Sequence, residues 1–193
     1  MNKNTDKLSN FMNGFTAAVQ LSQRAGENGF FIEYTCLVAS IIDGFLRIGL
    51  ILNYQLENKT ADVLDYLLYQ SDEDTIISER QVYKMALDKS IISQDLFSQL
   101  ENLYKQRNRV IHRYIASDIS TREVLDIGLQ YEQIKYAVSD AVRGLENKQL
   151  ETGVGMTQLG KDTPEENMLA LLNEMSARKH DSSSLNHVLK KKN

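Results

Sequence analysis

His112 lies in the stretch KQRNRVIHRY, residues 105–114, where four cationic side chains surround one imidazole. No carboxylate occurs between Glu101 and Asp118, although the chain as a whole carries a net charge of -4. Imidazole changes charge near neutral pH, so His112 is the candidate general acid or base. A guanidinium offers a planar fork of donors to a phosphate or a developing oxyanion, which makes Arg107 the candidate for charge stabilisation. Asn108 precedes His112 by four residues, so on a helix the two side chains are neighbours and the amide can orient the imidazole or a ligand. Lys105, Arg109 and Arg113 recur at i, i+4 and i+8. They form a cationic row along which the backbone of an anionic polymer fits. The chemistry these types allow is proton transfer beside a bound phosphate.

Each feature also has a plainer reading. On a helical wheel, Arg107 falls at the centre of the apolar arc made by Leu100, Leu103, Tyr104, Val110, Ile111 and Tyr114. A charge there needs a partner, and an ion pair with Asp43 of the preceding apolar helix supplies one. His112 can be a structural side chain at a core edge, and the cationic row a solvated face. Arg107 and His112 lie roughly 140° apart on an ideal helix. They converge on one ligand only at a bend, or where a second subunit closes a groove.

Other chemistries lack their residues. There is no glycine-rich phosphate loop, no HExxH and no Cys/His cluster, and the GVG at 153–155 follows no strand. No metal or cofactor is expected. Histidines occur at 112, 180 and 187, and the single cysteine, Cys36, lies in an apolar run. That position fits an inert thiol, and one cysteine cannot form an internal disulfide.

The elements that must position these residues are helical. The apolar spacing follows 3.6 residues throughout and no strand alternation is present. A first amphipathic helix is expected over Asp6–Arg24, ended by the turn GENG. A long apolar helix is expected over Phe31–Asn53, and a third from Thr60 with Val63, Leu64, Leu67 and Leu68 on one face. SERQ, 78–81, and STRE, 120–123, are capping boxes for two further helices. Ser93 and Asp95 open the helix that carries the basic stretch. The apolar run around Asp43 and Arg47 reads as a core helix, not a membrane span. The polar N-terminus MNKNTDKLSN lacks an apolar signal segment, so the expected location is the cytoplasm, with no membrane contact.

These signals give one helical domain over 1–150 and a glycine-containing linker over 151–162. A short helix over 163–180 follows, capped by Thr163 with Pro164 at its first position and Glu166 closing the box, then a basic disordered tail over 181–193. The self-sufficient cap and the linker suggest that the segment from Glu151 is dispensable for folding.

RNRVIHRY resembles the R-N-x3-H signature of the HEPN family, with Arg107, Asn108 and His112 on the matching positions. With Tyr114 it also fits the extended form R-x4-H-x-Y, which is similar to HEPN toxins paired with a minimal nucleotidyltransferase antitoxin. The resemblance spans residues 30–146. It implies an all-α, HEPN-like helical bundle, dimeric, here with a C-terminal helical extension. It also implies a metal-independent endoribonuclease that leaves a 2′,3′-cyclic phosphate and acts on RNA as a toxin or in phage defence. Two motif helices would face each other across a groove. Asp43 would support the catalytic set of Arg107, Asn108 and His112, with Glu33 and Ser40 as weaker candidates. Lys105, Arg109 and Arg113 would hold substrate, and Tyr114 would be the acceptor of a nucleotide from the antitoxin. The rival expectation is a non-catalytic HEPN-like module that binds a nucleotide, RNA or a protein. A third is a purely structural helical dimer.

Overall fold

The computed structural model describes residues 3–68, 76–160 and 165–179. Among them are six α-helices and no strand: α1 (Lys3–Glu27), α2 (Phe31–Asn58), α3 (Glu79–Asp88), α4 (Gln94–Arg113), α5 (Thr121–Thr152) and α6 (Glu165–Lys179). The protein is all-α. Serine caps start three of the helices where the sequence signals them. Ser78 accepts from Gln81 N, Ser93 from Leu96 N and Ser120 from Glu123 N. Gln81 and Glu123 return the bond to complete capping boxes, which satisfies backbone donors that a bare helix start leaves open.

α2 is the central element. Val38, Ile42, Leu46 and Ile51 are fully buried and pack with Tyr131 and Val138 of α5 and with Leu100 and Leu103 of α4. Burial of each such aliphatic side chain contributes about 1.5–3 kcal/mol. By length and composition α2 could cross a bilayer, yet in this bundle 72% of its most apolar window is buried by neighbouring helices. α1 lies along α2 because position 44 is glycine. A Cβ there would sit 2.7 Å from a ring carbon of Phe15.

Residues 60–68 do not form the expected third helix. Lys59 adopts φ 51° and ends α2. Gln55 Nε2 then donates to the carbonyls of Ala61 and Asp62, which a continuing helix would have claimed. Only a 3₁₀ turn, Asp65–Leu67, remains. The apolar positions are nonetheless used, since Leu67 and Leu68 are buried in the core. The sequence pattern reports burial there, and side-chain capture of the backbone decides the conformation.

The stretch read as a linker over 151–162 is also different. α5 runs to Thr152, Gly153 caps it in the left-handed region, and the chain turns back into a 3₁₀ segment, Met156–Gly160. This return is fixed by two fully buried glutamines. Gln149 Nε2 donates to Leu52 O and to Gln55 Oε1. Gln55 Oε1 also accepts from Met156 N, and Gln149 Oε1 from Thr157 N and Oγ1. Gly155 has no alternative here, because a Cβ would lie 2.3 Å from the Gln149 side chain. α6 packs on α1, where Gln20 Nε2 donates to Asn173 Oδ1 and Ser176 Oγ donates to Gln20 Oε1. Contacts therefore cross the boundary expected at Glu151. The expected cap at Thr163, Pro164, and the tail over 181–193 lie outside the described residues. Gln149→Ala should lower the stability of the domain by about 3 kcal/mol, because it strands several buried partners and opens a cavity. Chemical denaturation measures this, and a loss under 1 kcal/mol would mean that the return segment is not structural.

Candidate active site on α4

The basic stretch occupies the last turns of α4 and splits into a buried half and an exposed half. Val110 is buried, Arg107 and Asn108 are partly buried, and Lys105, Arg109, His112, Arg113 and Tyr114 are exposed. This follows from the wheel: the α4 face that carries Leu100, Leu103 and Val110 meets the core, and His112 points nearly away from it.

Arg107 is held by Glu79, the first residue of α3. Its Nη1 donates to both carboxylate oxygens, at 2.9 and 2.7 Å. The side chains are 12% and 17% exposed, so this is a largely desolvated pair. Tyr83 donates its hydroxyl to Glu79 as well. Arg107 Nη2 donates to Asn108 Oδ1 at 3.3 Å, and its guanidinium stacks over the Tyr104 ring at 5.0 Å. Arg80, paired with Glu101, stacks on the same ring at 5.7 Å. The alternative of an Arg107–Asp43 pair is not what forms. Asp43 instead takes Arg47, with Oδ2 2.6 Å from Nε, while Arg47 Nη1 and Nη2 bind the carbonyls of Leu67 and Ile77. Asp43 thus holds Arg47, which anchors the backbone at Leu67 and at Ile77.

Burial sets the electrostatics. It raises the pKa of the Glu79 and Asp43 carboxyls, and Arg107 and Arg47, respectively, oppose it only in part. Burial disfavours the charged form of Arg107, but Glu79 outweighs it and the pKa of the guanidinium is raised. The phenols of Tyr83 and Tyr131, both near this pair, are pushed up mainly by burial. Burial also raises the Cys36 thiol, which keeps it a thiol and agrees with an inert role.

Toward solvent, Asn108, Ile111 and His112 follow i, i+3 and i+4 on α4, and Ile115 lies in the turn just beyond its end. Ile111 is 44% exposed and Ile115 fully so. Arg109 reaches Glu123 at 3.4 Å, both about half exposed, a contact of little energy. Tyr114 closes α4 with its hydroxyl 3.3 Å from Thr121 Oγ1. Arg107 is hydrogen-bonded to Asn108, and among the described residues no hydrogen bond joins it to His112. Glu33 and Ser40 are exposed on α2, and neither touches the α4 residues by a hydrogen bond among those described. Sequence reasoning missed Glu79, Arg80 and the role of Tyr104. The only signal for Glu79 was its place after the Ser78 cap. Among the described residues no group of three or more His, Cys, Asp or Glu could hold a metal ion. Comparisons with protein-family models, curated proteins and solved structures gave no match.

Proposed function

We propose that this chain is a metal-independent endoribonuclease of the HEPN type, acting as the toxin of a toxin–antitoxin pair or in phage defence. The observation that carries this reading is the solvent-exposed His112, one turn beyond the partly buried Asn108 that Arg107 holds, beside the exposed cations Lys105, Arg109 and Arg113. RNA carries a 2′-OH next to each phosphate, so cleavage by internal transesterification needs only proton transfer and charge stabilisation. In this mechanism His112 removes the 2′-OH proton while the 2′-oxygen bonds to phosphorus. The P–O5′ bond breaks, the leaving oxygen takes up a proton, and a 2′,3′-cyclic phosphate and a 5′-OH result. Arg107, being bound to Glu79, acts through Asn108, whose amide oxygen it holds and whose NH₂ is thereby oriented. It adds positive potential but does not grip the phosphate in this arrangement. The cationic row holds the RNA backbone. Asp43 holds Arg47 rather than the reacting atoms.

The exposed apolar side chains at the end of α4 support a homodimer. Ile111 and Ile115 suit burial against the same surface of a second copy, which would bring two His112 to one groove as base and acid. Tyr114, exposed and adjacent, is the proposed acceptor of a nucleotide from a nucleotidyltransferase antitoxin. The chain acts in the cytoplasm on this reading. The competing proposal, a non-catalytic module that binds nucleotide, RNA or protein, draws support from the occupation of Arg107 by Glu79. One experiment separates them. Single-stranded RNA incubated with the protein in excess EDTA should be cut to cyclic-phosphate ends, and sedimentation should give twice the 22.0 kDa chain mass. Binding without cleavage under all conditions favours the module.

A further inference from the structure

α2 begins against the rule its neighbours obey. α3, α4 and α5 start on serines that cap the backbone, whereas the residue before α2 is Phe30, which makes no side-chain cap bond. Its ring is 60% exposed. An aromatic at this position serves neither the helix end nor the core, and local rules are broken most often where function requires it. The ring forms one wall of a cavity of about 460 Å³ between the start of α2 and the α4–α5 corner. Phe31, Ile32 and Tyr114 add apolar surface, Thr121 adds a hydroxyl, and Glu33 supplies the carboxylate. The volume suits a planar heterocycle. The chemistry is aromatic faces for stacking and one exposed pair of acceptor oxygens at the rim.

We propose that this cavity binds a guanine base of single-stranded RNA, the nucleotide next to the scissile phosphate, with the base stacked between Phe30 and Tyr114 and its edge on Glu33. The choice of RNA as polymer rests on the ribonuclease reading above. The choice of base rests on the cavity itself. Guanine alone presents two adjacent donors on its Watson–Crick edge, N1–H and N2–H, which match the two oxygens of one carboxylate. Adenine and cytosine each set a ring acceptor beside their amino group, and that acceptor would face the carboxylate without a proton. Uracil has one donor between two carbonyls. Unstacked bases held by aromatic rings and read on this edge are the usual mode of single-strand recognition. Arg113 precedes Tyr114 and is exposed, so the attached phosphate has a cation at hand. Tyr114 is only two residues beyond His112, about 3 Å of helix rise, and it ends α4. A strand passing His112 can therefore turn across the open helix end into the cavity.

The test is fluorescence anisotropy with two labelled oligoribonucleotides. One is an oligoadenylate with a single central guanine, 2′-fluoro at every sugar so that no linkage in it can be cut. The other carries adenine at the same place. The guanine strand should bind about tenfold tighter or more. Glu33→Gln should bring the two within about twofold, since an amide offers one acceptor and one donor. Phe30→Ala should weaken both by about tenfold, the scale of one lost base stack. Both residues are exposed, so melting temperatures should match wild type. Equal binding of the two strands by wild type, a preference that survives Glu33→Gln, or an unaltered Phe30→Ala overturns the proposal. Cleavage is scored separately on unmodified RNA. Guanine preference without any cleavage removes the ribonuclease and leaves the base site. Cleavage without guanine preference removes the base site and leaves the ribonuclease.

Discussion

Arg107→Ala should destabilise the fold by about 3–5 kcal/mol, the usual penalty for breaking a buried ion pair by removing one partner. Glu79 would be left with its carboxylate among Tyr83 and the core and without a cation, although the pair is only 12% and 17% exposed when intact. The two partners pull in opposite directions: the raised pKa of Glu79 disfavours its ionised form, and the raised pKa of Arg107 favours its charged one. Burial raises the pKa of the Glu79 carboxyl above the ordinary glutamate range even with Arg107 present. A carboxyl with a raised folded pKa contributes stability while it is protonated. That contribution is lost as pH rises from its unfolded value through the folded one. Ionised Glu79 is therefore a cost at neutral pH, and Arg107 limits it. The double variant Glu79→Gln, Arg107→Met should recover most of what Arg107→Ala loses. Urea denaturation at pH 7 of the wild type, single and double variants decides. A single variant within 1 kcal/mol of wild type, or a double variant no better than the single, would contradict a buried pair that locks α3 to α4. The consequence for enzymology is direct. Lost cleavage in Arg107→Ala reports folding as much as chemistry, so Arg107→Lys, which keeps the charge but not the fork that reaches both Glu79 and Asn108, is the informative substitution.

How far this could be read in the sequence differs by element. Ser78, Ser93 and Ser120 announced their helices because a cap is a local device, a hydroxyl and a backbone donor three residues apart. The core faces of α2 and α5 were legible for a similar reason, since periodicity records which side is buried. What failed was what periodicity does not record. Thr60–Leu68 has helical spacing, but Gln55 takes the carbonyls of Ala61 and Asp62 from six and seven residues away, and Arg47 takes that of Leu67 from twenty. The return of residues 153–158 was hidden for a further reason: Gln149, which Thr157 reaches across eight residues, is itself locked to Gln55 across 94. At the site, the wheel gave Arg107 as a buried cation and His112 as a side chain on another face, and the structure has both. It could not give the partner of Arg107. Asp43 and Glu79 were both acidic residues upstream, and only the packing of α3 against α4 selects Glu79.

Alanine at His112 isolates chemistry from folding, because the side chain is exposed and holds nothing in the core. Its stability should stay within about 0.5 kcal/mol of wild type, as for other surface substitutions. Cleavage of single-stranded RNA in excess EDTA should nevertheless fall by about 10²-fold or more, the range of general acid–base contributions. If two copies of His112 meet across a dimer groove as base and acid, the loss is larger than one such contribution, since both partners vanish together. Two controls define the result. Asn108→Ala should reduce cleavage less than His112→Ala, because it removes orientation and leaves the proton carrier. Arg109→Ala should weaken RNA binding and make it less salt-dependent while the bound complex still reacts, because a backbone contact adds affinity and not proton transfer. A His112→Ala protein that cuts as fast as wild type, or cleavage that disappears on chelation alone, would remove His112 from the chemistry. The exposed end of α4, with Ile111 and His112, would then be left as a surface for binding rather than for reaction.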